Sequence, residues 1–200
     1  MISVPKTKSL VIAKEPIRCK LTINDEIIEQ VMSFKYLGVE ISSNQDRKKE
    51  VQGQIDKAAR ISGYLKEIIW RNKHMKREAK VKIYKTCVRP IMTYAAETRA
   101  DIRKTKSMVR TTEMRTLRAI AGYTLRDRVP NVTIRETCGV QDIIRWARQR
   151  RRGWNEHVSR IGEERMARIA RDGKPSSRKP LGRPPKRWMD SWTSRSQEAK

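Results

Sequence analysis

Apolar positions change their period along this chain. Between residues 9 and 41 they come in short runs rich in β-branched residues, Leu10-Val11-Ile12, Ile17 to Ile23 and Phe34 to Ile41, with Asn24-Asp25 as turn material. This pattern predicts a small β region. Gly38 falls inside the last run, where a glycine marks a bulge or lets another backbone approach closely. From Asn44 the steps become three and four, and Val51, Ile55, Ala58, Ser62, Leu65 and Ile69 make one helical stripe, with Asn44 or Asp46 as the cap. A second helix is predicted over 76–96, with Ala79, Ile83, Cys87 and Tyr94 on one side and Pro90 bending or breaking its middle. A third is predicted over 102–121, closed by Gly122.

Beyond a link at 123–130, Asn131 or Thr133 can open a short helix ending at Gly139, with Thr133 and Glu136 at capping-box spacing. The helix after it carries Ile143, Trp146, Ala147, the stem of Arg150, Trp154, Val158 and Ile161 on an apolar stripe, which makes core positions the expectation for both tryptophans. Arg145, Arg148, Arg151 and Arg152 fall on the opposite side. From Ala170 the chain is rich in Pro, Gly, Ser and basic residues through Arg187, a composition that does not form regular structure, and it leads into Trp188 and Trp192. The expected class is therefore α+β: a small antiparallel β region over 1–43, a mostly helical body over 44–122, a basic helical region over 123–169 and a disordered basic C-terminal arm over 170–200.

Charge narrows the partners. The 200 residues include 47 Lys and Arg against 22 Asp and Glu, a formal net charge of +25, so a polyanion is the expected partner. No apolar run approaches the roughly 20 residues that span a bilayer, and the opening residues do not read as a secretory signal. No membrane partner is expected, and the expected location is intracellular, in the nucleus and/or cytoplasm. Cys19, Cys87 and Cys138 are too sparse for a disulfide framework and are read as buried free thiols; with His74 and His157 isolated as well, no metal site is assigned. Lys and Arg replace counterions on phosphates and aromatic faces stack on unpaired bases, so an arginine-rich helix, tryptophans and a basic arm point to nucleic acid. Gly182-Arg183-Pro184 has the centre of an AT-hook, yet Leu181 stands where a basic residue usually precedes the glycine, and a linker is the expectation there.

Several segments in order carry a family likeness: Lys6-Thr7-Lys8, Phe34-Lys35-Tyr36-Leu37-Gly38-Val39-Glu40-Ile41, Tyr84 to Thr98, Met114 to Gly122, the Arg126-Asp127-Arg128 link, Arg148-Gln149-Arg150-Arg151-Arg152 with Trp154 and His157-Val158, and Gly182 to Trp188. Together they resemble the C-terminal part of LINE-type (non-LTR) retrotransposon reverse transcriptases of the RTE-like group, over nearly the whole chain. The resemblance implies the end of a palm near Lys6, where the family's lysine assists departure of pyrophosphate, with Lys8 and Lys14 as alternatives. It implies a primer-grip hairpin at Tyr36, Leu37, Gly38 and Val39, and a thumb over residues 46–121 that lays a basic face on the template-primer duplex.

Nucleic-acid contacts are thus expected from Tyr36, Leu37, Gly38, Val39, Arg145, Arg148, Arg151, Arg152, Arg183, Lys186 and Arg187, with RNA and DNA (a template-primer duplex) and the palm and fingers portion of the polymerase as partners. Polymerisation uses paired carboxylates to hold two magnesium ions about 4 Å apart. No adjacent Asp pair occurs here, so the resemblance implies a chain without catalytic residues or a cofactor of its own, Mg²⁺ being expected only in the full-length enzyme. Fingers, most of the palm and the endonuclease domain would precede residue 1. A stand-alone, domesticated RNA- or DNA-binding module and a truncated element copy with no selected function remain the alternatives.

Overall fold

A computed structural model describes residues 3–13, 17–44, 46–173 and the single residue Gly182. The chain is α+β. A 3-10 turn, Val4–Lys6, leads into six short strands: β1 (Lys8–Ser9), β2 (Thr22–Ile23), β3 (Glu26–Ile27), β4 (Glu29–Gln30), β5 (Ser33–Tyr36) and β6 (Val39–Ser42). They pair only two by two, β2 with β3 and β5 with β6 antiparallel, β1 with β4 parallel. Leu10-Val11-Ile12 forms no strand; residues 8 and 9 pair instead.

The run from Phe34 to Ile41 is a hairpin rather than a single strand. Phe34 lies opposite Ile41 and Tyr36 opposite Val39, and the chain reverses at Leu37-Gly38. Both turn residues have positive φ, +47° and +84°, the handedness that matches the twist of the flanking strands. Gly38 therefore serves the turn, not a bulge or a close approach: an added Cβ would meet nothing nearer than Tyr94 at 3.8 Å, an ordinary contact. Asn24 and Asp25, at φ +49° and +61°, join β2 to β3 as their composition predicts.

The helical body follows. Helix α1 (Arg47–Leu65) runs into a π turn at Lys66–Trp70; α2 (Arg77–Ile83), a π turn at Tyr84–Val88 and α3 (Arg89–Met92) are consecutive; then come α4 (Arg103–Ala121), α5 (Asn131–Cys138), α6 (Ile143–Arg160) and α7 (Met166–Asp172). Asp46 caps α1, its Oδ1 accepting from the Lys48 and Lys49 amides at 2.9 and 3.3 Å. Pro90 has no N–H for a helical bond, but the rod does not break there. The chain widens into a π turn just before it and ends at Met92, short of the predicted 96. Gly122 and Gly139, both left-handed, close α4 and α5. The predicted capping box at Thr133 does not form, because the helix already starts at Asn131 behind Pro130 and Thr133 lies within it.

One core joins these helices. Val51, Ile55 and Ala58 of α1 meet Val109, Leu117 and Ile120 of α4, with Ile134 of α5 and Ile143 of α6 closing the other side. The α2–α3 rod turns Val81, Tyr84, Val88 and Met92 inward, whereas Ala79 and Cys87, predicted for that side, are exposed. Of the cysteines, Cys138 is buried, Cys19 half-buried and Cys87 exposed. No described helix is long and apolar enough to cross a membrane.

Candidate nucleic-acid interface

Two buried ionic hubs hold the helices that carry the surface charge. In the first, the Glu113 side chain is wholly buried. Tyr84 Oη donates to its Oε1 at 3.2 Å, and Arg135 Nη2 donates to Oε2 at 2.8 Å. Asp142 caps α6 through the Ile144 and Arg145 amides and also receives Arg110 at 2.8 Å and Arg135 at 3.1 Å. Burial pushes the Glu113 carboxyl up against the opposing pull of Arg135. At Asp142 burial acts the same way but is outweighed by the hydrogen bonds and charges of its arginines, and its pKa lies below the usual carboxylate value. Tyr84 is thus a core residue because α4 supplies an acceptor for its hydroxyl.

The second hub corrects the sequence reading. Arg151 is not on the outer face of α6: its side chain is 3 % exposed, donating to the Ala96 carbonyl at 2.6 and 3.1 Å and to Asp101 Oδ2 at 3.1 Å. Arg99 shares Asp101 at 2.8 Å and reaches Glu50 at 3.4 Å. The physical reason lies in helical spacing. Residue 151 follows Ile143 and Ala147 in steps of four on the inward row of α6, and a guanidinium can sit there because the 96–101 segment supplies acceptors for its N–H groups.

Around this frame lies a groove of about 1660 Å³ between α1, its π turn and α4. Lys66, Lys73, Arg103, Lys106, Arg110, Arg115 and Arg118 line it, while Asp101, already engaged by Arg99 and Arg151, is the acidic residue in its lining. Lys66, Lys73, Arg103 and Arg115 are exposed. The volume exceeds the roughly 300–1,000 Å³ of a small-molecule pocket, and the donors are of the kind that contact phosphate oxygens along a backbone. The sequence placed a basic face somewhere on residues 46–121 and Arg115 and Arg118 within the segment 114–122, but singled out none of these side chains as a contact. A signal was present: Arg103, Lys106 and Arg110 recur at steps of three and four.

Other anticipated residues lie apart. Arg145 and Arg152 are exposed on α6 and Arg148 is half-buried, none of them lining the groove. Tyr36, Leu37 and Val39 line a second cleft with Tyr94, Trp146, Arg150 and Trp154. Both tryptophans are half-buried rather than core. Lys6 is exposed at the end of the 3-10 turn, and Lys8 forms an ion pair with Glu29. Lys14, Arg183, Lys186 and Arg187, and the basic arm beyond residue 173 apart from Gly182, lie outside the described residues.

By class this is a basic α+β chain with a groove between α1 and α4 lined by lysines and arginines. It is similar to an uncharacterized transposon-derived protein of Caenorhabditis elegans, with 28 % identity over 120 residues, covering 58 % of this chain and 43 % of that relative. The match thus spans less than half of the relative's length, and it ties the chain to transposon-derived sequence. No family model matches the chain, and no solved structure does.

Proposed function

We propose that this chain is the nucleic-acid-gripping C-terminal part of a retrotransposon RNA-directed DNA polymerase of the LINE type, acting on a template-primer duplex. The observation that carries the reading is the α1–α4 groove, which sets Lys66, Arg103 and Arg115 along one side of the helical body with little acidic counterweight. Such a surface binds through phosphates and is indifferent to sequence, as a polymerase needs. The likeness to a transposon-derived protein supports it.

The β region favours this reading over a self-sufficient module. Its ladders are two-stranded, and Ile12, Ile17, Ile27, Met32 and Phe34 are each more than two-fifths exposed. Unpaired edges and apolar side chains left open in this way suit a surface that the rest of a palm would cover. The proposal gives the chain no catalytic step. Asp46 and Asp142 cap helices, Asp101 serves the buried hub, and Asp127 holds a turn through Thr124; the polymerising carboxylates would belong to the remainder of the enzyme.

A salt-titrated binding assay on a primed RNA template tests the reading. Affinity should fall steeply with salt, and replacing Lys66, Arg103 and Arg115 by Ala should reduce the slope by about 2–3. An unchanged slope in a folded triple variant would remove the groove from the interface, and primer extension by the chain alone with Mg²⁺ would overturn the non-catalytic assignment.

A further inference from the structure

We propose that the cleft between the tip of the β5–β6 hairpin and α6 accepts an unpaired base from a single strand; the idea rests on the nucleic-acid reading above but concerns a different surface. Its walls are aromatic. Tyr36 from β5, Tyr94 from the turns after α3, and Trp146 and Trp154 from α6 converge on one space of about 1040 Å³, although the core buries only Trp70 and Tyr84 among the described aromatic residues. Tyr36 is 57 % and Tyr94 46 % exposed. A folding chain normally hides such surface, and aromatic faces with cations beside them are what unpaired bases stack on.

Cations are in place. The Arg89 guanidinium sits 4.5 Å from the Trp146 ring centroid and that of Arg150 5.8 Å from it. Arg150, with a side chain 62 % exposed, lies at the cleft and is in position for a backbone phosphate. Of the two carboxylates in the lining, Glu50 faces Arg99 at 3.4 Å, and Glu97 faces Arg150 at 3.4 Å, so a phosphate at Arg150 would share that guanidinium with Glu97.

The hairpin tip is tied over the cleft by hydrogen bonds to its carbonyls. Leu37 has φ +47° with 71 % of its surface exposed, a conformation that costs a side-chain-bearing residue energy for no burial in return. It is kept there by Tyr94 Oη, which donates to the Leu37 carbonyl at 2.7 Å, and by Gln54 Nε2 and Lys57 Nζ, which donate to the Gly38 carbonyl at 3.1 and 3.3 Å. A strained apolar tip beside an open aromatic wall is a preorganised contact, and the basic surroundings favour a nucleobase over an apolar peptide.

The test separates bases from phosphates. Binding of the full chain is compared for single-stranded oligouridine and for an abasic strand of equal length, with wild type, Trp154→Ala and Trp154→Phe. Wild type should prefer oligouridine; Trp154→Ala should lose about 10-fold on oligouridine and nothing on the abasic strand, and Trp154→Phe should restore most of the loss. Equal binding of both strands by wild type overturns the cleft and leaves the nucleic-acid reading standing, whereas binding to neither sinks both. Should Trp154→Ala fail to fold, photo-cross-linking of 5-iodouridine-substituted strand to wild type decides: adducts at Tyr36, Tyr94, Trp146 or Trp154 support the proposal, and adducts confined elsewhere, which would leave the cleft to an apolar polypeptide, overturn it.

Discussion

The β region and the helical body make opposite use of their residues. Among the described residues of 8–42, Ile28 is the buried hydrophobic one, while Ile12, Ile17, Leu21, Ile27, Met32 and Phe34 face solvent. Over 47–160 a continuous core is buried, although Ile68, Leu125 and Val132 stay exposed, and even charged groups, Glu113, Asp101, Arg99 and Arg151, are enclosed. A body that encloses ions has pairing partners to neutralise them, whereas the two-stranded ladders of the β region leave their isoleucines uncovered. The contrast teaches that net charge and apolar content describe neither region: what differs is how far each completes its own contacts.

Five changes would break or sharpen this comparison. The largest effect is expected from Arg151→Ala, which leaves Asp101 with Arg99 as its remaining guanidinium partner and should cost about 3–5 kcal/mol in urea unfolding. A loss under 1 kcal/mol would return Arg151 to the surface. Next, Leu117→Ala in the fully buried core should cost about 2–5 kcal/mol, whereas Ile27→Ser, 62 % exposed, should shift stability by no more than about 0.5 kcal/mol; comparable losses would abolish the distinction. Leu37→Asn, better suited to positive φ, should stabilise the hairpin by about 1 kcal/mol, read as a rise in Tm. No rise would mean the turn carries no strain.

The smallest effect is one of pH. Burial raises the Glu113 carboxyl in the folded state, so its proton is held more tightly folded than unfolded. Stability from this group is present at low pH and lost as pH climbs from the ordinary carboxylate value, 4.5, through the raised one. Glu113→Gln lacks that loss, so its stability relative to wild type should improve between pH 4 and pH 7. Urea midpoints at the two pH values read the sign, and a constant difference would mean the pKa is not raised.

Helix positions were largely legible because burial in a helix repeats at three and four residues: Val51, Ile55 and Ala58 were readable as core, as were the caps Asp46, Gly122 and Gly139. The α2–α3 rod was not, since two apolar stripes compete there and the choice depends on Glu113, twenty-nine residues beyond Tyr84. The candidate site was legible in kind and not in place. The basic spacing of α4 was visible and unused, while Arg151 was assigned to solvent for want of a partner that no local pattern reveals.

By itself, then, the sequence determined the basic character, the α+β class, the inward stripe of α1 and the glycines that end helices, because propensity, period and capping act over a few residues. Tertiary structure alone decided which arginines are buried, which aromatics remain open, and that α1 and α4 enclose a basic groove. Those outcomes rest on contacts between segments tens of residues apart, where an ion pair or an acceptor carbonyl reverses the cost of burying a charge.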